Sequence, residues 1–305
     1  MKDKNIKILA PDGQELNLNI YKPDSIEPRV IILGIHGFGE FGERYRKVAE
    51  YFTEQGAAFY IHDQRGHGLT PGNRGVIDSY ISFLNDIELV LNIIREEQGN
   101  KPIVLYGHSM GGNIALRYLM TKDTGNIACS VISSPWLKLY KETPLFLVKI
   151  MEKVLGPSFK IKAKIGSLSH DRELLKEVNS SGLYHNYICT TMARGIMVSG
   201  LFITNNPQLL TTPTLLMSAE LDNVVDLKAI EKFAGSNKEN IEYIKWPGMF
   251  HELHNEKERV QVLAAAWTYG RVVIPFAIWT VTYLKNISKR NILLQKQLKL
   301  YELFL

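Results

Sequence analysis

Residues 103–119, IVLYGHSMGGNIALRYL, constrain this chain more than any other stretch. An apolar, β-branched run enters the turn Gly107-His108-Ser109-Met110-Gly111, and a helical pattern leaves it. Strand, G-x-S-x-G and helix in that order describe a nucleophile elbow, a sharp turn that lifts a serine hydroxyl out of a sheet. Such a turn holds Ser109 in a backbone conformation that side chains disfavour. It also presses the residues two before and two after the serine against neighbouring backbone, which only glycine tolerates. The helix that follows aims its first amides at the site, where they can stabilise negative charge. An accidental serine in a Gly-rich turn is the bland alternative, and the flanking strand and helix weigh against it.

The rest of the chain supplies a sheet for that elbow. Residues 5–21 alternate apolar and polar around Asp12-Gly13, a hairpin signal. Val30–Ile35 reads as a buried strand ending in His36-Gly37-Phe38-Gly39-Glu40. Helical spacing follows over 45–55, and a strand over 57–61 ends at Asp63-Gln64-Arg65-Gly66-His67-Gly68. Ile81–Gln98 is a long amphipathic helix, and Ile127–Ser133 is the strand after the elbow helix. This alternation predicts a mostly parallel sheet covered on both faces, with ligands outside the carboxyl ends of its strands. From Pro135 to about Asn186 the rhythm breaks into an apolar helical stretch and a basic loop with Lys160, Lys162 and Lys164. It resumes with a helix over 190–203, a strand over 214–218, a loop over 220–226 and a helix over 227–234. The strand Ile241–Trp246, the loop Pro247-Gly248-Met249-Phe250-His251 and a closing helix over 252–267 end it. The expected organisation is an α/β core of residues 1–135 and 187–268, an inserted helical cap over 136–186, and a tail over 269–305.

Composition narrows the setting. The chain has 305 residues, 45% hydrophobic and 22% charged, which suits one large domain with an insertion. Most of the net charge of +5 sits in residues 285–305, where Lys285, Lys289, Arg290, Lys296 and Lys299 face only Glu302. The body has no basic face, so nucleic acid is not an expected partner. Cys129 and Cys189 offer no disulfide framework, and Cys129 reads as a buried, inert thiol. The first residues lack an apolar core of signal-peptide length, so the expected setting is cytoplasmic.

A serine hydroxyl needs a base, and the base is commonly a histidine held by a carboxylate. With this elbow the partners follow in the order Ser, Asp or Glu, His, each from a loop at a strand's carboxyl end. His36, His62, His67 and His108 precede the serine, and His170 and His185 fall in the insertion. That leaves His251, in the loop after the last strand, over His254, expected one turn into the closing helix. Glu220, Asp222 and Asp226 compete for the acid. Asp226 reads as a helix N-cap and Glu220 abuts the strand, so Asp222 is preferred. The oxyanion donors are expected to be the amides of Met110 and Phe38. His36 reads as a structural brace of its turn, and Arg65, Arg74 and Asp63 as loop-bracing ion pairs. No cluster has metal-ligand spacing, and no cofactor is implied.

HGFGEFGERY, DQRGHGLTPGNRG, GHSMGG, AELDNVVD and FHELHNE together resemble the successive signatures of the monoacylglycerol lipase and lysophospholipase family of α/β-hydrolases. The resemblance spans roughly residues 5–268, and SLSHDRELLKEVNSSGLYHN is similar to that family's cap. It implies an α/β-hydrolase fold and a serine esterase acting on a fatty-acyl monoester of glycerol or of a glycerophospholipid. It carries Ser109, Asp222 and His251 onto the triad, and Phe38 and Met110 onto the oxyanion hole. Gln64 before Arg-Gly-His-Gly, and Thr70 where serine is common, are mild departures.

The tail departs more. Residues 269–284 are apolar around Gly270, Arg271 and Pro275, then basic, and too short and interrupted for a bilayer span. Packing on the body or on a second subunit, lying in a membrane interface, and a non-native terminus are its three readings. The enzyme alternatives are a short-chain carboxylesterase, an acyltransferase or a peptidase on the same site. The alternative from another class is a non-catalytic, ligand-binding hydrolase fold. Oligomeric state, acyl length and head group are not legible.

Overall fold

The structure is a computed structural model that describes residues 1–164 and 166–275. Its centre is an eight-stranded sheet in the order β1-β2-β4-β3-β5-β6-β9-β10. The strands are β1 (Lys2–Leu9), β2 (Glu15–Lys22), β3 (Val30–Ile35), β4 (Ala57–Asp63), β5 (Ile103–His108), β6 (Ile127–Ser133), β9 (Thr214–Ala219) and β10 (Ile241–Trp246). β1 and β2 form the expected hairpin, and β2 runs antiparallel to β4. From β4 through β10 every pairing is parallel. The central strands β4, β5, β6 and β9 are buried along their whole length, which explains their unbroken apolar runs.

Two apolar cores flank the sheet. One packs α2 (Ile81–Gln98), α3 (Met110–Thr121), α6 (Thr190–Asn205) and α7 (Leu227–Ser236) through residues such as Phe83, Ile87, Ile114, Met192 and Phe233. The other packs α1 (Arg46–Glu54) and the helical residues 259–275 through Val48, Phe52, Val262 and Ala266. Cys129 lies in this second core, where burial pushes its thiol up to about 12. The fold is the α/β-hydrolase architecture that the elbow required.

Between β6 and α6 the chain inserts α4 (Leu145–Leu155), β7 (Lys160–Lys162), α5 (Arg172–Ser180) and β8 (Tyr187–Cys189). β7 and β8 pair as an antiparallel ribbon. The basic segment is therefore partly strand, not loop. Three residues with both lysines exposed carry no readable period, and only the distant partner β8 makes them a strand. The insertion sits tightly on the core. A Cβ on Gly75 would lie 1.8 Å from the Tyr187 carbonyl oxygen, and one on Gly39 would lie 2.2 Å from that of His185.

The closing helix differs from expectation at its start. Leu253–Asn255 is a 3-10 turn, and helix begins only at 259. There the buried Glu256 carboxyl accepts from the Phe250 amide and Asn255 Nδ2 donates to Glu252 Oε2, side-chain bonds that compete with the helical ladder. Residues 269–275 prolong this helix, and the remainder of the expected tail lies outside the described residues. Among the described residues, no helix is long and apolar enough to cross a membrane.

Candidate active site

β5 delivers Ser109 and α3 begins immediately after it. Ser109 has φ 54° and ψ −116°, a strained conformation for a residue with a side chain. The two glycines of the motif are there for space. A Cβ on Gly107 would meet the Gly111 carbonyl oxygen at 2.8 Å, and one on Gly111 would meet that of Ile35 at 2.0 Å. The Ser109 amide donates to the Ser133 carbonyl at 2.9 Å, and the Trp136 amide donates to the Ser109 carbonyl at 2.9 Å. The elbow is thus fastened to the end of β6. The first bond of α3 runs from the Asn113 amide to the Ser109 carbonyl, so the Met110 amide has no acceptor within the helix.

His251 and Asp222 reach the serine from the loops after β10 and β9. His251 Nε2 lies 2.9 Å from Ser109 Oγ, and His251 Nδ1 lies 2.7 Å from Asp222 Oδ2. Asp222 Oδ1 accepts from the Val224 and Val225 amides at 2.9 and 3.1 Å, which fixes the carboxylate's orientation. All three side chains are buried. Burial opposes charge on both partners, yet each stabilises the other. The Asp222 carboxyl is held below its usual range and the His251 imidazole above its own.

The competing residues have other partners. Asp226 caps α7, its Oδ1 accepting from the Lys228 and Ala229 amides. Glu220 accepts from the Gly248 amide at 2.9 Å. His254 lies in the 3-10 turn rather than in the helix. Its ring stacks on Tyr45 and meets the His108 ring edge-on, each at 4.7 Å, and burial pushes its pKa down to about 3.

The turn after β3 lies against the nucleophile. A Cβ on Gly37 would stand 3.2 Å from Ser109 Cβ. His36 braces this turn, as its sequence context suggested. Its Nε2 accepts from the Gln64 amide at 2.9 Å, so Nδ1 carries the proton and donates to the Gly37 carbonyl at 2.8 Å. Burial pushes His36 down to about 3, so it stays neutral. The Phe38 ring meets Trp136, His67 and His185 edge-on.

The loop-bracing ion pairs need correction. Arg65 does join two carboxylates, Asp12 and Asp86. Asp63 instead accepts from the Gly42 and Leu69 amides and from Asn17 Nδ2. Arg74 Nη1 is buried without a hydrogen-bond partner among the described residues.

Sequence reasoning missed a buried charge cluster beside the site. Arg44 lies between two carboxylates, at 2.6 Å from Glu40 Oε1 and 2.7 Å from Glu252 Oε2. Glu40 Oε2 also accepts from the Gly37 amide at 2.9 Å and from the Tyr45 hydroxyl at 2.8 Å. The cluster therefore joins the Gly37 turn to the residue after His251. One guanidinium faces two buried carboxyls. Burial holds Glu40 above the usual carboxylate range, while Arg44 outweighs burial at Glu252 and holds it below. The available signal was the pair of glutamates three residues after Gly37 and one after His251, to which sequence reasoning gave no role. A cavity of about 760 Å³ opens beyond Arg44, lined in part by Phe41, Asp63, Leu174 and Leu183, and Ser109 does not line it. Among the described residues, no group of histidine, cysteine or acidic side chains is placed to hold a metal ion.

The arrangement can activate a hydroxyl, hold the resulting imidazolium and present beside it the Met110 amide, which has no acceptor within its own helix. Comparison with known proteins agrees with that chemistry. The family profile described as serine aminopeptidase, S33, matches residues 26–258. An uncharacterized abhydrolase domain-containing protein of Dictyostelium discoideum is 31% identical over 87% of this chain, which spans only 29% of that protein. A monoacylglycerol lipase of Mycolicibacterium smegmatis is 26% identical over 82% of this chain and 91% of its own length. The crystal structure of a soluble variant of monoglyceride lipase from Saccharomyces cerevisiae superposes with a TM-score of 0.77 at 21% identity, covering 88% of this chain and 94% of that one, a likeness of fold. The chain belongs to the serine aminopeptidase S33 family, as an α/β-hydrolase of monoacylglycerol-lipase type.

Proposed function

We propose that this protein is a serine esterase that cleaves a fatty-acyl ester of a monoacylglycerol or lysophospholipid through an acyl-enzyme. The continuous chain from Ser109 Oγ through His251 to Asp222, on a strained elbow, carries the reading. Ser109 Oγ attacks the ester carbonyl as His251 Nε2 takes its proton. Asp222 keeps the imidazole in the tautomer with Nε2 free and stabilises its charged form. The Met110 and Phe38 amides receive the oxyanion. His251 then protonates the leaving alcohol. In the second half it activates water, which releases the fatty acid and restores Ser109. Nucleophile, base and water suffice, so the reaction needs no cofactor.

Residues 136–186 act in this reading as a cap with an interfacial face. In α4 only Val148 is buried, while Phe146, Ile150 and Val154 are 61, 53 and 72% exposed beside Lys149 and Lys153. An outward apolar stripe flanked by lysines suits peripheral contact with an anionic lipid surface, where long-chain substrates reside. The basic tail would add to that contact. The relatives' names support the lipid ester, and the exposed face of α4 supports the interface.

The family description also raises a peptidase on the same site. An aminopeptidase needs an unpaired carboxylate to hold its substrate's ammonium group. The buried glutamates on the flanking loops, Glu40 and Glu252, are both engaged by Arg44, which disfavours that reading.

The test is labelling and turnover. A fluorophosphonate should label the wild-type chain and not Ser109→Ala, and the variant should fold while losing turnover of monoacylglycerol by about 10³ or more. Wild-type turnover by that variant would sink the acyl-enzyme. Faster cleavage of acetyl than of long-chain esters, relative to micelle-free controls, would make it a short-chain esterase.

A further inference from the structure

Within the insertion, residues 166–171 run between β7 and α5 as a strap that touches both loops of the candidate triad. The Ser167 amide donates to Asn223 Oδ1 at 2.8 Å, directly after Asp222. The Glu252 amide, directly after His251, donates to the Leu168 carbonyl at 2.8 Å. Ser169 Oγ donates to the Asn255 carbonyl at 2.8 Å and accepts from the Asp171 amide at 2.9 Å.

The strap then meets a buried carboxyl, that of Glu256, to which no part in the chemistry has been given. Glu256 Oε1 accepts from the Phe250 amide at 2.7 Å, directly before His251. Its Oε2 accepts from the His170 amide at 3.1 Å, and His170 Nδ1 lies 3.1 Å from Oε1. The Glu256 side chain is fully buried. The His170 ring stacks on Phe250 with centroids 4.0 Å apart and planes 14° from parallel. His251 is therefore pinned on both sides, by Phe250 through Glu256 and by Glu252 through Leu168.

We propose that Glu256 and the strap residues Ser167 to His170 form a positioning unit for His251 and Asp222, so that seating of the inserted segment sets the geometry of the base. This rests on the triad reading above. A loop between a strand end and a short turn has little intrinsic stiffness. Backbone amides gathered by one carboxyl group restrain it directionally. Displacement of a base by about 1 Å can cost about 10²-fold in rate. The strap thus makes the same chain segment answer both for covering the site and for aligning it.

The test uses Glu256→Gln, His170→Ala and His170→Gln in the full chain, with Lys176→Ala as a control on an exposed ion pair of α5. The readouts are kcat and KM on a soluble short-chain ester, the fluorophosphonate inactivation rate, and the low-field proton resonance of His251 Nδ1–H. Glu256→Gln turns an amide group toward one of the two backbone donors. It should lower kcat and the inactivation rate together by about tenfold to a hundredfold, with KM within about twofold. The resonance should shift or broaden. His170→Ala should show a smaller loss in the same parameters, His170→Gln should recover part of it, and Lys176→Ala should match wild type. If Glu256→Gln fails to fold, His170→Ala and Ser169→Ala decide the matter. Folded variants with wild-type kcat and an unmoved resonance, or with a change in KM alone, would overturn the proposal. Slowed labelling that still lands on Ser109 concerns the strap, whereas turnover by Ser109→Ala refutes the acyl-enzyme itself.

Discussion

Replacing Asp222 by asparagine tests the proposed base with almost no change of shape. Asp222 Oδ1 already accepts from two amides, Val224 and Val225. The asparagine oxygen must take that place. The opposite flip would set an –NH2 group against two N–H donors, one buried and one half-buried, forfeiting two bonds worth about 0.5–1.5 kcal/mol each. Its Nδ2 therefore faces His251 Nδ1 and donates to it. That forces the imidazole proton onto Nε2, the atom 2.9 Å from Ser109 Oγ. An Nε2–H cannot take the serine's proton. The expected loss of turnover is about 10⁴-fold, or about 5–6 kcal/mol of transition-state stabilisation. Folding should change little, because both backbone bonds persist. The assay is ester turnover beside thermal unfolding, with nitrogen NMR of the imidazole reporting the tautomer. Turnover within about tenfold of wild type, in a folded variant with the proton on Nε2, would refute the reasoning.

Three further outcomes are expected. Asp226→Ala should leave kcat near wild type and cost about 1 kcal/mol of stability, read by denaturant unfolding, because it removes the cap of α7. The acid limb of kcat/KM should lie above the ordinary histidine value of about 6.5, because His251 must be neutral to act and Asp222, outweighing burial, holds its pKa up. Arg44→Met should cost about 3–5 kcal/mol by leaving Glu40 and Glu252 buried and unpaired. Carboxyls without that partner are raised above their unfolded values, so stability held by their neutral forms is lost as pH rises, and the thermal midpoint of this variant should recover on acidification.

Much of this architecture is written in local pattern. β3, α2, β6 and β10 coincide with the stretches that announced them, because each is an unbroken apolar run or a clear periodic pattern bounded by glycine or polar turns. The residues named for the site were found by chain order and loop position, and the structure brings Ser109, Asp222 and His251 within hydrogen-bond distance. What stayed hidden depends on partners far apart in sequence. Arg44 and Glu252 are separated by 208 positions, and each alone reads as a solvated surface charge. β7 exists only through β8. The late start of the closing helix reflects Glu256 binding loop amides, which no helical periodicity encodes.

The tight seating of the insertion also limits how the scaffold can be recombined. Gly39 and Gly75 belong to the core loops, yet their missing side chains make room for the carbonyls of His185 and Tyr187. A chimera that grafts the whole segment between β6 and α6 from another scaffold would have to bring compatible loops with it. Conversely, this core would accept only donors whose backbone follows the same path past those two glycines. Substrate range in such a design is then a property of the graft and its seat together, and shuffling at the apparent insertion boundaries would separate parts that are shaped as one.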